Sequence, residues 1–235
     1  MRVLLAAAVL PALFLMGYIY KLDRVEKEPI GLLLLLAGAG ALSCFPAAIL
    51  EQLAGGVLES FFYAESVIFV LIDAFLIVAL AEEGCKLLCL RLFTWKNEEF
   101  DCNFDGIVYA VFVSLGFAAL ENIMYLQSYG LSIAFQRAIL SIPGHMTFSV
   151  FMGHHYSKAR KAMIYGRPDE AKRSLGTALF MAVILHGFYD YCLMSNFEVL
   201  YYVFFAFVVI LDIVSIKVIK RESANDAPFE QWPMY

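Results

Sequence analysis

The stretch VIFVLIDAFLIVALAEEGCKLLCLRL, residues 67–92, decides the fold class. It reaches spanning length, contains no proline, and is the apolar segment most interrupted by charge, with Asp73, Glu82, Glu83 and Lys86 in its interior. An apolar run of this length is a transmembrane helix candidate, and charges inside such a helix are costly enough that they usually face a protein interior. The rest of the chain agrees. Of 235 residues, 62% are of hydrophobic type and 17% are charged, too little polar surface to clothe a soluble globule. The net charge of -5 and the lack of a basic patch argue against a nucleic-acid partner.

Seven segments reach spanning length, at approximately 3–20, 30–50, 67–92, 106–127, 131–155, 175–195 and 199–218. The expectation is an all-α polytopic helix bundle of about seven spans, forming one membrane domain over 1–235. Fourteen of the seventeen Lys and Arg fall in alternate loops and the tail, with six of them between Lys158 and Arg173. Only Arg2 and Arg137 fall on the other side, and Lys86 lies within a span. Positive loops stay in the cytoplasm, so the N-terminus is expected outside and the C-terminus inside. Gly17-Tyr18-Ile19-Tyr20 offers no small-residue cleavage site, which favours a retained first span. Residues 51–65 read either as an amphipathic stretch along the outer surface or as a plain loop.

The five cysteines, 44, 85, 89, 102 and 192, form no CxxC pair, and the four in apolar runs read as small hydrophobes. Asp105, at the start of the fourth span, reads as a helix cap, and His154 and His155 as interfacial groups. Asp73 and Asp212 are weak candidates, the first out of phase with Glu82 and the second without a charged neighbour.

The remaining intramembrane ionisable groups suggest chemistry. In Ala81-Glu82-Glu83-Gly84-Cys85-Lys86, helical spacing brings Lys86 within reach of both carboxylates. Lys86 can neutralise one of them, leaving the other as a candidate general base. His186 and Asp190 are one turn apart, so the carboxylate can fix the imidazole tautomer. His145 follows Pro143-Gly144, a pair able to kink the helix. Glu121 has no cation within its own helix and needs a partner from another span, or a proton. At ~1.5 Å per residue, Glu82, His145 and His186 lie about 14–17 Å from the cytoplasmic ends of their spans, and Glu121 and Asp190 about 22–23 Å.

These motifs resemble the PrsW family of bacterial intramembrane proteases, relatives of the CAAX prenyl endopeptidases. The resemblance rests on EExxK as Glu82-Glu83-xx-Lys86, on Asp105-Gly106-Ile107-Val108-Tyr109 leading to FxxxE as Phe117-xxx-Glu121, on His145, and on HxxxD as His186-xxx-Asp190. It implies an endopeptidase of the bacterial cell membrane that cuts a membrane-anchored protein, most simply an anti-sigma factor. It also implies essential roles for Glu82, Glu83 and His186, with Glu121, His145 and Asp190 in support.

In outline, Glu82 or Glu83 activates a water, and His145 or His186 stabilises the oxyanion or protonates the leaving amine. Glu121, His145 and His186 could instead hold zinc or another divalent metal beside an open position for water. No HExxH is present, and the CAAX relatives favour the metal-free form. Two other readings remain open from the residues alone: a proton- or ion-coupled transporter, for which no internal repeat speaks, and a membrane scaffold without chemistry.

Overall fold

A computed structural model describes residues 2–64 and 66–229, with the side chains of residues 2 and 4 left aside. The chain is built of helices: α1 (Arg2–Leu22), α2 (Ile30–Leu42), α3 (Cys44–Glu59), α4 (Val67–Ile72), α5 (Ala79–Thr94), α6 (Asp105–Tyr129), a short α7 (Ala134–Gln136), α8 (Ile142–Ile164), α9 (Pro168–Met194) and α10 (Glu198–Ala224). Among the described residues there is no strand, and one isolated bridge joins Cys102 to Pro228. Five helical stretches are long and apolar enough to cross a membrane: 5–22, 30–59, 105–129, 168–194 and 198–224. The continuous helical runs 67–94 and 134–164 have comparable length, but they carry Glu82, Glu83, Lys86, His145 and other polar groups that lower their apolarity.

Several boundaries differ from the sequence expectation, and the sixth segment starts earlier, at Pro168. The second segment breaks at Ser43, whose hydroxyl donates to the Gly40 carbonyl, and then continues as α3 to Glu59. Residues 51–59 are therefore the end of a helix, and Glu65 lies outside the described residues. The fifth segment begins irregularly and extends to Ile164. Asp105 does not cap its own helix. Its Oδ2 accepts the N–H groups of Asp101 at 3.0 Å and Cys102 at 2.6 Å, while Asp226 Oδ1 takes the Phe104 N–H at 2.8 Å.

Helix α6 is the axis of the bundle, buried continuously from Asp105 to Ala118 and packed by α1, α2, α5 and α8. Helices cannot gain from hydrophobic burial in lipid, so close backbone approach does much of the packing. A side chain at Gly116 would collide with the Ala37 backbone of α2, and one at Gly40 with the Val113 backbone of α6. Gly106 and Gly153 bring α6 and α8 together in the same way. Helix α10, by contrast, exposes Val199, Tyr202, Val209, Ile210 and Ile213, as a lipid-facing helix does.

Two π-helical segments interrupt the ladder, Asp73–Val78 before α5 and Arg137–Ser141 before α8. Each lies one to two turns ahead of the polar residues that its helix contributes, and such widened turns re-aim the side chains that follow. At one end of the bundle, the loop between α1 and α2 buries Asp23 and Glu28. The Tyr109 hydroxyl lies 2.5 Å from Glu28 Oε2 and 2.9 Å from the Glu99 carbonyl. Burial pushes Asp23 up to about 6 and Glu28 up to about 7.

Candidate active site

The polar centre is organised by Lys86. Its position on α5 places the ammonium one turn beyond Glu82 and Glu83, and Nζ lies 2.9 Å from Glu82 Oε2 and 2.8 Å from Glu83 Oε1. The third direction is filled from α8 by His145 Nδ1 at 3.1 Å. An ammonium has three donors and no acceptor, so all three are committed. The ring of Phe117 lies 4.1 Å from Nζ, which gives the Phe117-xxx-Glu121 motif of α6 a physical role as a cation–π floor.

Because Lys86 donates to Nδ1, a neutral His145 carries its hydrogen on Nε2. That nitrogen lies 3.1 Å from Glu121 Oε2. The same oxygen receives Arg137 Nη2 at 2.8 Å. Ser114 Oγ donates to the His145 carbonyl at 2.9 Å, tying the first turns of α8 to α6. From α9, His186 Nδ1 meets Glu83 Oε1 at 2.9 Å and Nε2 meets Asp190 Oδ2 at 3.2 Å. The imidazole is thus flanked by a carboxylate at each ring nitrogen. The Phe148 ring stacks on His186 at 5.0 Å between centroids.

Thus Glu82, Glu83, Lys86, Glu121, His145, His186 and Asp190 form one connected network drawn from α5, α6, α8 and α9. A cavity of about 520 Å³ opens beside it, lined by Glu82, Glu121, His145, His186 and Asp190. Glu83 does not line it and is fully buried, with Oε2 lacking a partner among the described residues. Two charged lining residues are absent from the sequence candidates: Glu51 of α3 and Arg137. Glu51 falls where the sequence suggests the span has already ended. Arg137 reads in sequence only as one of two cations on the outer side, with Arg2.

The donor atoms of Glu82, Glu83 and His145 lie within 4.8 Å of one another, close enough to share an ion. Their centre is already held by the Lys86 ammonium, 2.8 to 3.1 Å from each. A divalent ion there would sit against a buried positive charge, so these residues as arranged do not fit one. Among the described residues, Glu121, His145 and His186 do not converge as a ligand group, and each imidazole nitrogen of the pair already has a partner. A second group, Asp101, Cys102 and Asp105, lies at the α6 N-terminus, where Asp105 Oδ2 is engaged by two backbone N–H groups.

The family model for the PrsW family intramembrane metalloprotease matches residues 28–213, a range that contains every residue of the network. The chain belongs to the PrsW family. It is similar to Protease PrsW of Oceanobacillus iheyensis, 35% identical over 222 residues covering 94% of this chain and 97% of that protein. It is likewise similar to Protease PrsW of Geobacillus kaustophilus, 35% identical over 82% of this chain and 80% of that protein, and to Protease PrsW of Bacillus subtilis, 34% identical over 86% and 88%. No solved structure matches. PrsW membership makes the chain an intramembrane peptidase, and with its apolar helices a bacterial membrane protein. The PrsW family description includes a metal, which the Lys86-centred cluster does not accommodate.

Proposed function

We propose that the chain is an endopeptidase that cuts a membrane-anchored protein, an anti-sigma factor, with a water activated by Glu82. The acid pair is asymmetric: both carboxylates hold Lys86, but Glu82 lines the cavity and Glu83 is sealed behind it. A base must reach the proton that it takes, so Glu82 is the base and Glu83 the anchor of Lys86 and His186.

Glu82 takes one proton from a cavity water as the oxygen adds to the scissile carbonyl carbon. His186, hydrogen-bonded to Glu83 at Nδ1, paired with Asp190 at Nε2 and lining the cavity, supplies positive charge to the tetrahedral oxyanion. The C–N bond then breaks, and the leaving amine takes the proton from Glu82. Asp190 orients His186. Glu121 and Lys86 orient His145, which closes the network on the α8 side. Pre-positioned charge of this kind costs no reorganisation at the moment of reaction.

In the orientation expected from the Lys and Arg distribution, the N-terminus lies outside and the C-terminus in the cytoplasm. The anti-sigma substrate rests on the resemblance to the PrsW family and on a cavity large enough for a short peptide segment. The test is an epitope-tagged series of the host's anti-sigma factors, followed by immunoblot under envelope stress. Shortening of one factor in wild-type cells and its loss with Glu82→Gln supports the reading. Identical tagged products in both strains for every factor would remove the anti-sigma assignment.

A further inference from the structure

We propose that Arg137 is a positioning residue of the hydrolytic site, holding the Glu121 carboxylate against His145 so that the imidazole keeps its lone pair toward Lys86. This inference rests on the hydrolytic role proposed above for the network.

The guanidinium is held on three sides by one stretch of α6. Nη2 donates to Glu121 Oε2 at 2.8 Å, Nε donates to Asn122 Oδ1 at 2.7 Å, and the Tyr125 ring lies 3.9 Å from Cζ. Asn122 is itself fixed, because its Nδ2 donates to the Ala8 carbonyl of α1 at 3.0 Å and so turns the amide oxygen toward Arg137. Two acceptors and an aromatic face together match a planar fork, not a point charge. Lysine could satisfy one of these contacts but not all.

The consequence passes along the network. Glu121 Oε2 is shared by Arg137 and His145 Nε2, so the guanidinium determines where that oxygen stands. With Nε2–H committed to Glu121, Nδ1 is the acceptor for Lys86. Without Arg137, Glu121 faces the open cavity with no fixed cation, and His145 is held from the Lys86 side alone. The imidazole that accepts from Lys86 then loses its second anchor, although Arg137 touches neither Lys86 nor Glu82. Arg137 comes from the π-helical segment ahead of α8, so the contact also fixes where that helix starts relative to α6.

The experiment uses the full chain in membranes and measures the yield of cleavage products that depend on the wild-type protein. Arg137→Lys and Arg137→Ala are each expected to lower the cleavage rate about 30- to 100-fold at unchanged membrane abundance, the range for a misplaced reacting group. Because Arg137 lines the cavity, added guanidinium ion should restore Arg137→Ala by roughly tenfold, a rescue that general loss of fold does not permit. In a Glu121→Gln background, Arg137→Ala should cost less than about twofold more, since coupled residues are not additive.

Arg137→Lys within about threefold of wild type would overturn the inference, as would full additivity with Glu121→Gln. If Arg137→Ala fails to accumulate, Arg137→Lys and its additivity with Glu121→Gln decide the matter alone. Cleavage that survives Glu82→Gln would remove the hydrolytic reading itself. A dead Glu82→Gln beside a fully active Arg137→Lys would remove only the role of Arg137.

Discussion

Lys86 Nζ lies 3.1 Å from His145 Nδ1, joining side chains that are 59 residues apart in sequence, and both are buried. With Glu82 and Glu83, this contact gives the ammonium three acceptors in a site where an unpaired charge would be strongly penalised. Lys86→Met should therefore lower stability by about 3–5 kcal/mol, the cost of breaking a buried ion pair from one side, and abolish cleavage. Thermal unfolding in detergent checks the first effect. An unchanged melting curve would mean that Lys86 does not hold the pair together.

The two glutamates should separate kinetically. Glu82→Gln removes the cavity-facing base and should cost about 10³-fold or more in cleavage rate, whereas Glu83→Gln keeps the shape of the anchor and should cost about 10- to 100-fold. Product yield at matched protein levels measures both. Equal losses would contradict the assignment of different roles.

Exhaustive dialysis against a strong chelator should leave the cleavage rate within about twofold, because Lys86 occupies the place where an ion would meet Glu82, Glu83 and His145. Loss of activity with recovery on added zinc would require the ammonium to leave this position in the working enzyme.

Stability should fall as pH rises from about 4 to about 7. Burial raises Asp23 from 3.8 to about 6 and Glu28 from 4.5 to about 7, so the folded chain holds these protons more tightly than the unfolded chain. Below the ordinary values both states are protonated and no penalty arises; across the window the penalty grows, and above the raised values it is constant. The double variant Asp23→Asn, Glu28→Gln should show a smaller decline over the same interval. Parallel curves of melting temperature against pH would disprove the contribution.

Gly116→Val should destabilise the bundle by about 1–3 kcal/mol, because any side chain there meets the Ala37 backbone rather than a movable side chain. Gly17→Ala, where the added carbon meets nothing within 4 Å, is the control and should leave the melting temperature nearly unchanged.

Helical spacing made much of the site legible. Glu82, Glu83 and Lys86 lie within one turn, as do His186 and Asp190, so their contacts follow from the period of a single helix. The roles of Glu82 and Glu83 were not separable, because one residue of helix phase decides which faces the cavity, and a π-helical segment just before α5 alters that phase. Arg137 was hidden for a similar reason. It lies in an irregular run with no apolar period, and its partners are on another helix. Glu51 was missed because the break at Ser43 lets α3 continue toward the cavity beyond the expected end of the span.

Labelling and sequencing new protein N-termini in membranes from cells carrying the wild-type chain or Glu82→Gln, at equal expression, reads out hydrolysis by Glu82 without assuming a substrate. Hydrolysis by Glu82 requires termini within or beside single-pass spans that are present with the wild type and absent with the variant, under envelope stress or at rest. Coincident sets of termini in both conditions would contradict it.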